Sequence, residues 1–183
     1  MASLVLSGNT SGSVTISSPA VSGTTTLTLP TTSGTVLTNG TNTNFPAGSV
    51  VQVVSVNNKQ ATTTTGDTYI ASTLAASITP TSSANKILIF GHYYYRTSAN
   101  GVGVSTTIYR NATNLTSGTI GLGYNYAVST AVEMTTPFTI LDSPATTSST
   151  TYTLYFKRID NAGTAYIGNG NFDSVITLME IKA

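Results

Sequence analysis

The chain contains no cysteine, which excludes disulfides and thiolate metal sites. Charged residues make up 7% of its 183 positions and the formal net charge is +1. The seven basic residues (Lys59, Lys86, Arg96, Arg110, Lys157, Arg158 and Lys182) are scattered. Neutralising several phosphates needs clustered Lys or Arg, so no nucleic-acid partner is expected. From Met1 to Asn58 there is no Asp, Glu, Lys, Arg or His at all. That stretch cannot use charge for solubility or for catalysis. No apolar run approaches the roughly 18 residues that span a bilayer, so membrane insertion is not expected. The start of the chain offers only Leu4-Val5-Leu6 and no basic residue, which predicts no signal peptide.

What the chain does have is repetition. Ser11-Gly12, Ser22-Gly23 and Ser33-Gly34 recur at a spacing of eleven, and Pro19 and Pro30 keep the same interval. Fixed-period self-similarity marks stacked, elongated elements. An eleven-residue period can also describe a helical supercoil, but Thr, Val, Gly and Pro are poor helix formers. The alternation in Val14-Thr15-Ile16 and Leu27-Thr28-Leu29 has the strand period of two, with Gly and Pro placed where a strand would turn. Such a segment has little apolar surface of its own to bury, so its order is expected to come from other copies of itself or from a partner.

The repeats end near Asn39-Gly40, and a polar stretch runs to Phe45-Pro46-Ala47-Gly48. We expect residues 1–46 to form an extended β-repeat shaft or anchor and residues 47–183 a globular domain. The second segment is long enough to bury about two-thirds of its unfolded surface. Expected strands are Val50–Val56, Leu74–Thr79, Lys86–Arg96, Val102–Arg110, Ala131–Leu141, Thr151–Arg158, Thr164–Ile167 and Phe172–Lys182. Ten Tyr, five Phe and many β-branched residues argue for order rather than disorder. The fold class expected is all-β, an antiparallel, jelly-roll-like β-sandwich.

Asn100-Gly101 favours a tight hairpin turn that would pair Ala99 with Val102 and set Tyr93 opposite Ile108. One face then holds Ile87, Ile89, Tyr93, Tyr95, Val104 and Ile108, a core. The other holds Leu88, Phe90, His92, Tyr94, Arg96, Thr107 and Tyr109. His92, Tyr94, Arg96 and Tyr109 are therefore expected to share a subunit interface or ligand face. A bulge near Gly91 would exchange the faces beyond it. The last strand is apolar on both sides, with Val175, Met179 and Ile181 on one and Ile176 and Leu178 on the other. Such a strand is usually central or covered by another subunit.

No catalytic residue and no metal ligand set emerges. His92 is the single histidine, with no cysteine or nearby carboxylate to complete a triad or zinc site. Glycan-cleaving enzymes need paired carboxylates, and the six acids (Asp67, Glu133, Asp142, Asp160, Asp173 and Glu180) are dispersed. Asp142 and the Asp160-Asn161-Ala162-Gly163 segment, a predicted hairpin loop, suit turns. Asn169, Asn171 and Asp173 alternate as calcium ligands do, but with too few carboxylates, and a plain turn is expected. Tyrosine suits both strand filling and sugar or protein contact. Most tyrosines are expected in the core, with Tyr124 and Tyr126, in a glycine-flanked loop, as receptor-contact candidates.

The segment Ser22-Gly23-Thr24-Thr25-Thr26-Leu27-Thr28-Leu29-Pro30-Thr31-Thr32-Ser33-Gly34-Thr35-Val36-Leu37 resembles a module near the N-termini of bacteriophage fibre and attachment proteins. Ser83-Ala84-Asn85-Lys86-Ile87-Leu88-Ile89, Leu141-Asp142-Ser143-Pro144-Ala145 through Tyr152, and Ile176-Thr177-Leu178-Met179-Glu180-Ile181 resemble the β-domain that ends such proteins. The resemblance implies a homotrimer with an N-terminal shaft and a C-terminal tip. It provides no residue-level receptor site. The expectation is a non-enzymatic fibre of the virion, assembled in the bacterial cytoplasm. It would be attached to other virion proteins through residues 1–46 and would bind a host-surface glycan or protein, with no cofactor. A capsid decoration or cement protein is the alternative, and a small glycan depolymerase comes third.

Overall fold

The computed structural model describes residues 3–17, 20, 21, 23, 24, 26, 28, 31–33, 45–116, 118–128 and 132–183. The chain divides into two compact units, Met1–Val36 and Leu37–Ala183.

In the first unit β1 (Ser3–Ser7) pairs antiparallel with β2 (Ser13–Ser17). The first Ser-Gly of the repeat lies in the connection, where Gly8 N donates to Gly12 O and Gly12 takes a positive φ of 78°. The alternation of Val14-Thr15-Ile16 is thus a strand, as its period predicts. The matching positions 27 and 29 of the second block lie outside the described residues. Leu4 stands opposite Ile16 and Leu6 opposite Val14, so four aliphatic side chains share one face. All four, and Val5 on the other face, are more than half exposed.

The second unit is an antiparallel β-sandwich, and no helix occurs among the described residues. The first sheet centres on β6 (Lys86–Thr97). Along one edge β6 pairs with β13 (Ser174–Ile181) and then with β12 (Ala165–Ile167). Along the other it pairs with β10 (Glu133–Asp142). Beyond β13 lies β3 (Val50–Asn58), and beyond β12 lies β4 (Thr62–Thr64). The second sheet runs β5 (Ile70–Ile78), β11 (Thr150–Asp160) and β7 (Val102–Arg110). Both β8 (Thr113–Asn114) and β9 (Gly123–Tyr126) pair with the far side of β7.

The period of two sorts the side chains. Ile87, Ile89, Tyr93, Tyr95, Ile176 and Leu178 from the first sheet meet Leu74, Val104, Ile108, Leu154 and Phe156 from the second in one buried core. The expected core face is therefore correct. Both ladders run through Gly91 in register, so no bulge exchanges the faces of β6. Gly91 itself is required by close approach, because a Cβ there would lie 1.9 Å from Val175 O. The last strand is interior to its sheet, between β3 and β6.

The hairpin across Asn100-Gly101 is not formed. Both edges of β6 and both edges of β7 are occupied by other strands, and the two belong to different sheets. Gly101 does take a positive φ of 78°, but its N–H donates to Ala127 O and its carbonyl accepts from Asn161 N. The turn chemistry is local, while the strand partners are chosen by which edges remain free. The same reason corrects Asp160–Gly163, which joins β11 of the second sheet to β12 of the first instead of closing a hairpin.

Candidate functional site

Splitting β6 from β7 divides the four-residue face expected from the sequence. His92, Tyr94 and Arg96 project from the outer side of the first sheet, at alternate positions of β6. Tyr109 lies on the outer side of the second. The two surfaces differ in chemistry.

On the first sheet the register places Val53, Met179, Leu88 and Leu141 in one row across four strands. Val53 and Leu141 at its ends are 52% and 54% exposed, and Met179 and Leu88 between them are half-buried. The next row is Ser55, Thr177, Phe90 and Thr139, with Ser55 Oγ 2.9 Å from Thr177 Oγ1. His92 follows, between Val175 and Pro137. Neither row carries a formal charge. Charge flanks the rows at both ends of β6. Exposed Lys86 stands opposite Ile181 at one end. At the other is Arg96, whose Nε lies 3.5 Å from Glu133 Oε1 and whose guanidinium sits 5.1 Å from the centre of the Tyr166 ring. Tyr94 is buried beneath Phe172, its ring stacked at 5.0 Å and 15°. Burial, and then the neighbouring Glu133 carboxylate, push the Tyr94 hydroxyl up to about 12.

On the second sheet Tyr109 stacks on Tyr155 at 3.9 Å, and Tyr69 leans on Tyr109 at 6.5 Å. Lys157 Nζ stands 4.7 Å over the Tyr69 ring, and the Tyr69 hydroxyl is 2.6 Å from Ser105 Oγ. Nothing local in the sequence distinguishes outward strand tyrosines such as Tyr69 and Tyr155 from inward ones. Of the ten tyrosines only Tyr93, Tyr94, Tyr95 and Tyr152 are buried. The expectation of a mostly core population fails because outer sheet faces also accept tyrosine.

Tyr124 and Tyr126 lie in the edge strand β9 rather than in a loop, paired with Ser105 and Gly103 of β7. They are 44% and 45% exposed. Their ring centres are 6.2 Å apart at 41°. Tyr124 Oη donates to Asp160 Oδ2 at 2.7 Å. Partial desolvation, and then the Asp160 carboxylate, push the Tyr124 hydroxyl up to about 12.

The acids are drawn into structure. Asp142 accepts from Arg110 Nη1 at 2.9 Å to each oxygen and from the Tyr152 hydroxyl at 2.7 Å, which ties β10 of one sheet to β7 and β11 of the other. Asp173 pairs with Lys59 at 3.7 Å. Asn169 Oδ1 accepts from the N–H groups of Asn171 and Phe172, a turn as expected. Among the described residues no group of three or more His, Asp or Glu could hold a metal ion.

No family model matches the chain, and no curated protein matches its sequence. Among solved structures it is similar to T=1 particles derived from infectious bursal virus, at 15% identity and a TM-score of 0.46, covering 81% of this chain and 41% of that one. It is likewise similar to infectious bursal disease virus of the Gx strain, at 15% identity and a TM-score of 0.45, covering 83% of this chain and 42% of that one. The chain thus spans about two-fifths of the length of these solved structures.

Proposed function

We propose that the chain is a structural fibre protein of a bacteriophage virion. In this reading residues 1–46 anchor it to other virion proteins, and residues 47–183 form the trimeric tip that adheres to the host surface. The observation that carries the reading is the partly exposed, uncharged apolar surface on both units. The β1–β2 hairpin exposes five aliphatic side chains, and a two-stranded hairpin alone is at best marginally stable in water. The Val53–Met179–Leu88–Leu141 row is likewise uncharged, exposed at Val53 and Leu141 and half-buried at Met179 and Leu88. A three-fold assembly joins two different patches of each chain and brings identical residues together only at its axis, and uncharged surfaces meet there without like-charge repulsion. Three weak receptor contacts per particle arm then gain strength through effective concentration.

Five of the six acids favour structural over catalytic roles. Glu133, Asp142, Asp160, Asp173 and Glu180 are each engaged by a neighbouring side chain. The alternative is a decoration protein that clamps capsomers with the same apolar row. A low-resolution map of the virion with a tag at Ala183 separates the two. The fibre reading predicts a tagged domain projecting from the particle, and a tagged domain lying flat between capsomers would overturn it.

A further inference from the structure

The surroundings of Tyr124 and Tyr126 contain more than two exposed rings. The two side chains, two positions apart on an edge strand, share one outward face. Beneath them, opposite Tyr126, the β7 position is Gly103. A Cβ on Gly103 would lie 2.7 Å from Asp160 Oδ2 and 2.8 Å from Tyr124 Cε2. The missing side chain is therefore what allows the carboxylate and the ring to meet over the strand.

Asp160 is held in place for this contact. Its φ of 67° lies in the left-handed region that non-glycine residues seldom occupy. The Arg158 guanidinium fixes the turn, with Nη1 donating to Asp160 O at 2.9 Å and Asn161 O at 2.6 Å, and Nε donating to Thr65 O at 2.7 Å. The Nε and Nη1 donors of Arg158 thus go to backbone carbonyls, and among the described residues no cation forms an ion pair with the Asp160 carboxylate. Oδ2 accepts from Tyr124, and Oδ1 has no hydrogen bond among the described residues.

The geometry points to a carbohydrate subsite on this face, for a neutral pyranose that rests a C–H face on the Tyr126 and Tyr124 rings and donates hydroxyl hydrogens to Asp160 Oδ1. Aromatic faces take the apolar side of a sugar, and an ionised carboxylate is an acceptor that hydroxyl groups satisfy well. The same carboxylate disfavours phosphorylated, sulfated or carboxylated ligands, since like charges repel at short range. The inference deepens the adhesion reading and rests on it for where the sugar comes from, the host surface.

The test is titration of the full chain, carrying ring-labelled tyrosine, with the methyl pyranosides of glucose, galactose and mannose and with N-acetylglucosamine. At least one sugar should shift the Tyr124 and Tyr126 signals saturably, with a Kd on the order of 1 mM. Asp160→Asn and, separately, Tyr126→Ala should weaken binding about tenfold or more while the melting temperature stays near that of the parent. The absence of any sugar-induced shift, or shifts confined to Tyr109 and Tyr155, overturns the subsite. Adsorption of the full chain to host cells is read in parallel. Adsorption without sugar binding removes the subsite and leaves the adhesion reading standing. Sugar binding without adsorption does the reverse.

Discussion

The Asn85 side-chain amide donates to Glu180 Oε1 at 2.6 Å, joining two positions 95 residues apart. Glu180 faces inward from β13 and is fully buried. Its Oε1 also accepts from Thr81 N at 2.7 Å and Thr81 Oγ1 at 2.8 Å, and its Oε2 accepts from Gln52 Nε2 at 2.6 Å. Asn85 Oδ1 in turn accepts from Ala183 N at 3.2 Å. A single carboxylate thus closes one end of the sandwich, gathering β3, β13 and the turn between β5 and β6.

Replacing Glu180 with Gln leaves an NH2 group facing donors that were paired with an oxygen. A buried polar group deprived of its partner costs about 1–3 kcal/mol, more when charge is involved. Chemical denaturation of Glu180→Gln should show a loss in that range or above, with the denaturant slope unchanged.

The same cluster sets the acid limit of stability. Burial alone would raise the Glu180 pKa, but the hydrogen bonds from Asn85, Gln52 and Thr81 outweigh it and hold the carboxyl below its ordinary value of 4.5. A carboxyl depressed in the folded state contributes stability that is complete above its unfolded pKa and is lost as pH falls through the folded one. Tyr93, Tyr94, Tyr124 and Tyr152 are raised above 10.0, chiefly by burial. Their contribution is complete below about pH 10 and falls above it, as the unfolded phenols ionise first. The melting temperature should therefore be nearly flat from about pH 5 to 9, dropping below about 4.5 and above about 10. A steep fall inside the plateau would contradict this.

Asp142 and Tyr152 tie the two sheets together through a 2.7 Å hydrogen bond. Tyr152→Phe keeps the ring in the core and deletes only that bond, so it should cost about 1.5–3 kcal/mol, the range for hydrogen bonds to charged groups. Asp142→Ala should cost more, because it strands the buried hydroxyl and frees Arg110. Thermal denaturation of both variants checks the order.

Gly91→Ala places a methyl 1.9 Å from Val175 O and 3.2 Å from Ile176 Cα, both backbone atoms. Strand β6 or β13 must move, and overpacking of this kind costs about 1–3 kcal/mol or more. The variant should melt well below the parent or fail to accumulate as folded protein.

Much of the sandwich was legible in the sequence. The alternation that predicts strands at Lys86–Arg96 and Val102–Arg110 finds them at Lys86–Thr97 and Val102–Arg110. Parity alone separated Ile176 and Leu178, which are core, from Val175, Met179 and Ile181, which are not. Pairing was not legible. Asn100-Gly101 carries the chemistry of a tight hairpin, yet it serves as a crossing between sheets, because partner choice depends on edges filled by strands far away in the chain. The strands Thr62–Thr64 and Gly123–Tyr126 went unrecognised. Three threonines, or a Gly-Tyr-Asn-Tyr run, hold too few alternations to show a period. The exposed pair Tyr124 and Tyr126 was legible, but Asp160 and Gly103 beside it were not, since they join that site only through tertiary contact.

Native mass spectrometry of the full chain is the most direct test of the account that this is a fibre subunit assembled through its uncharged apolar surfaces. The account predicts a mass near three chains. It further predicts that Leu88→Asp, which sets a charge in the Val53–Met179–Leu88–Leu141 row, shifts the distribution toward single chains. A stable, fully folded monomer as the predominant species of the parent protein would contradict it.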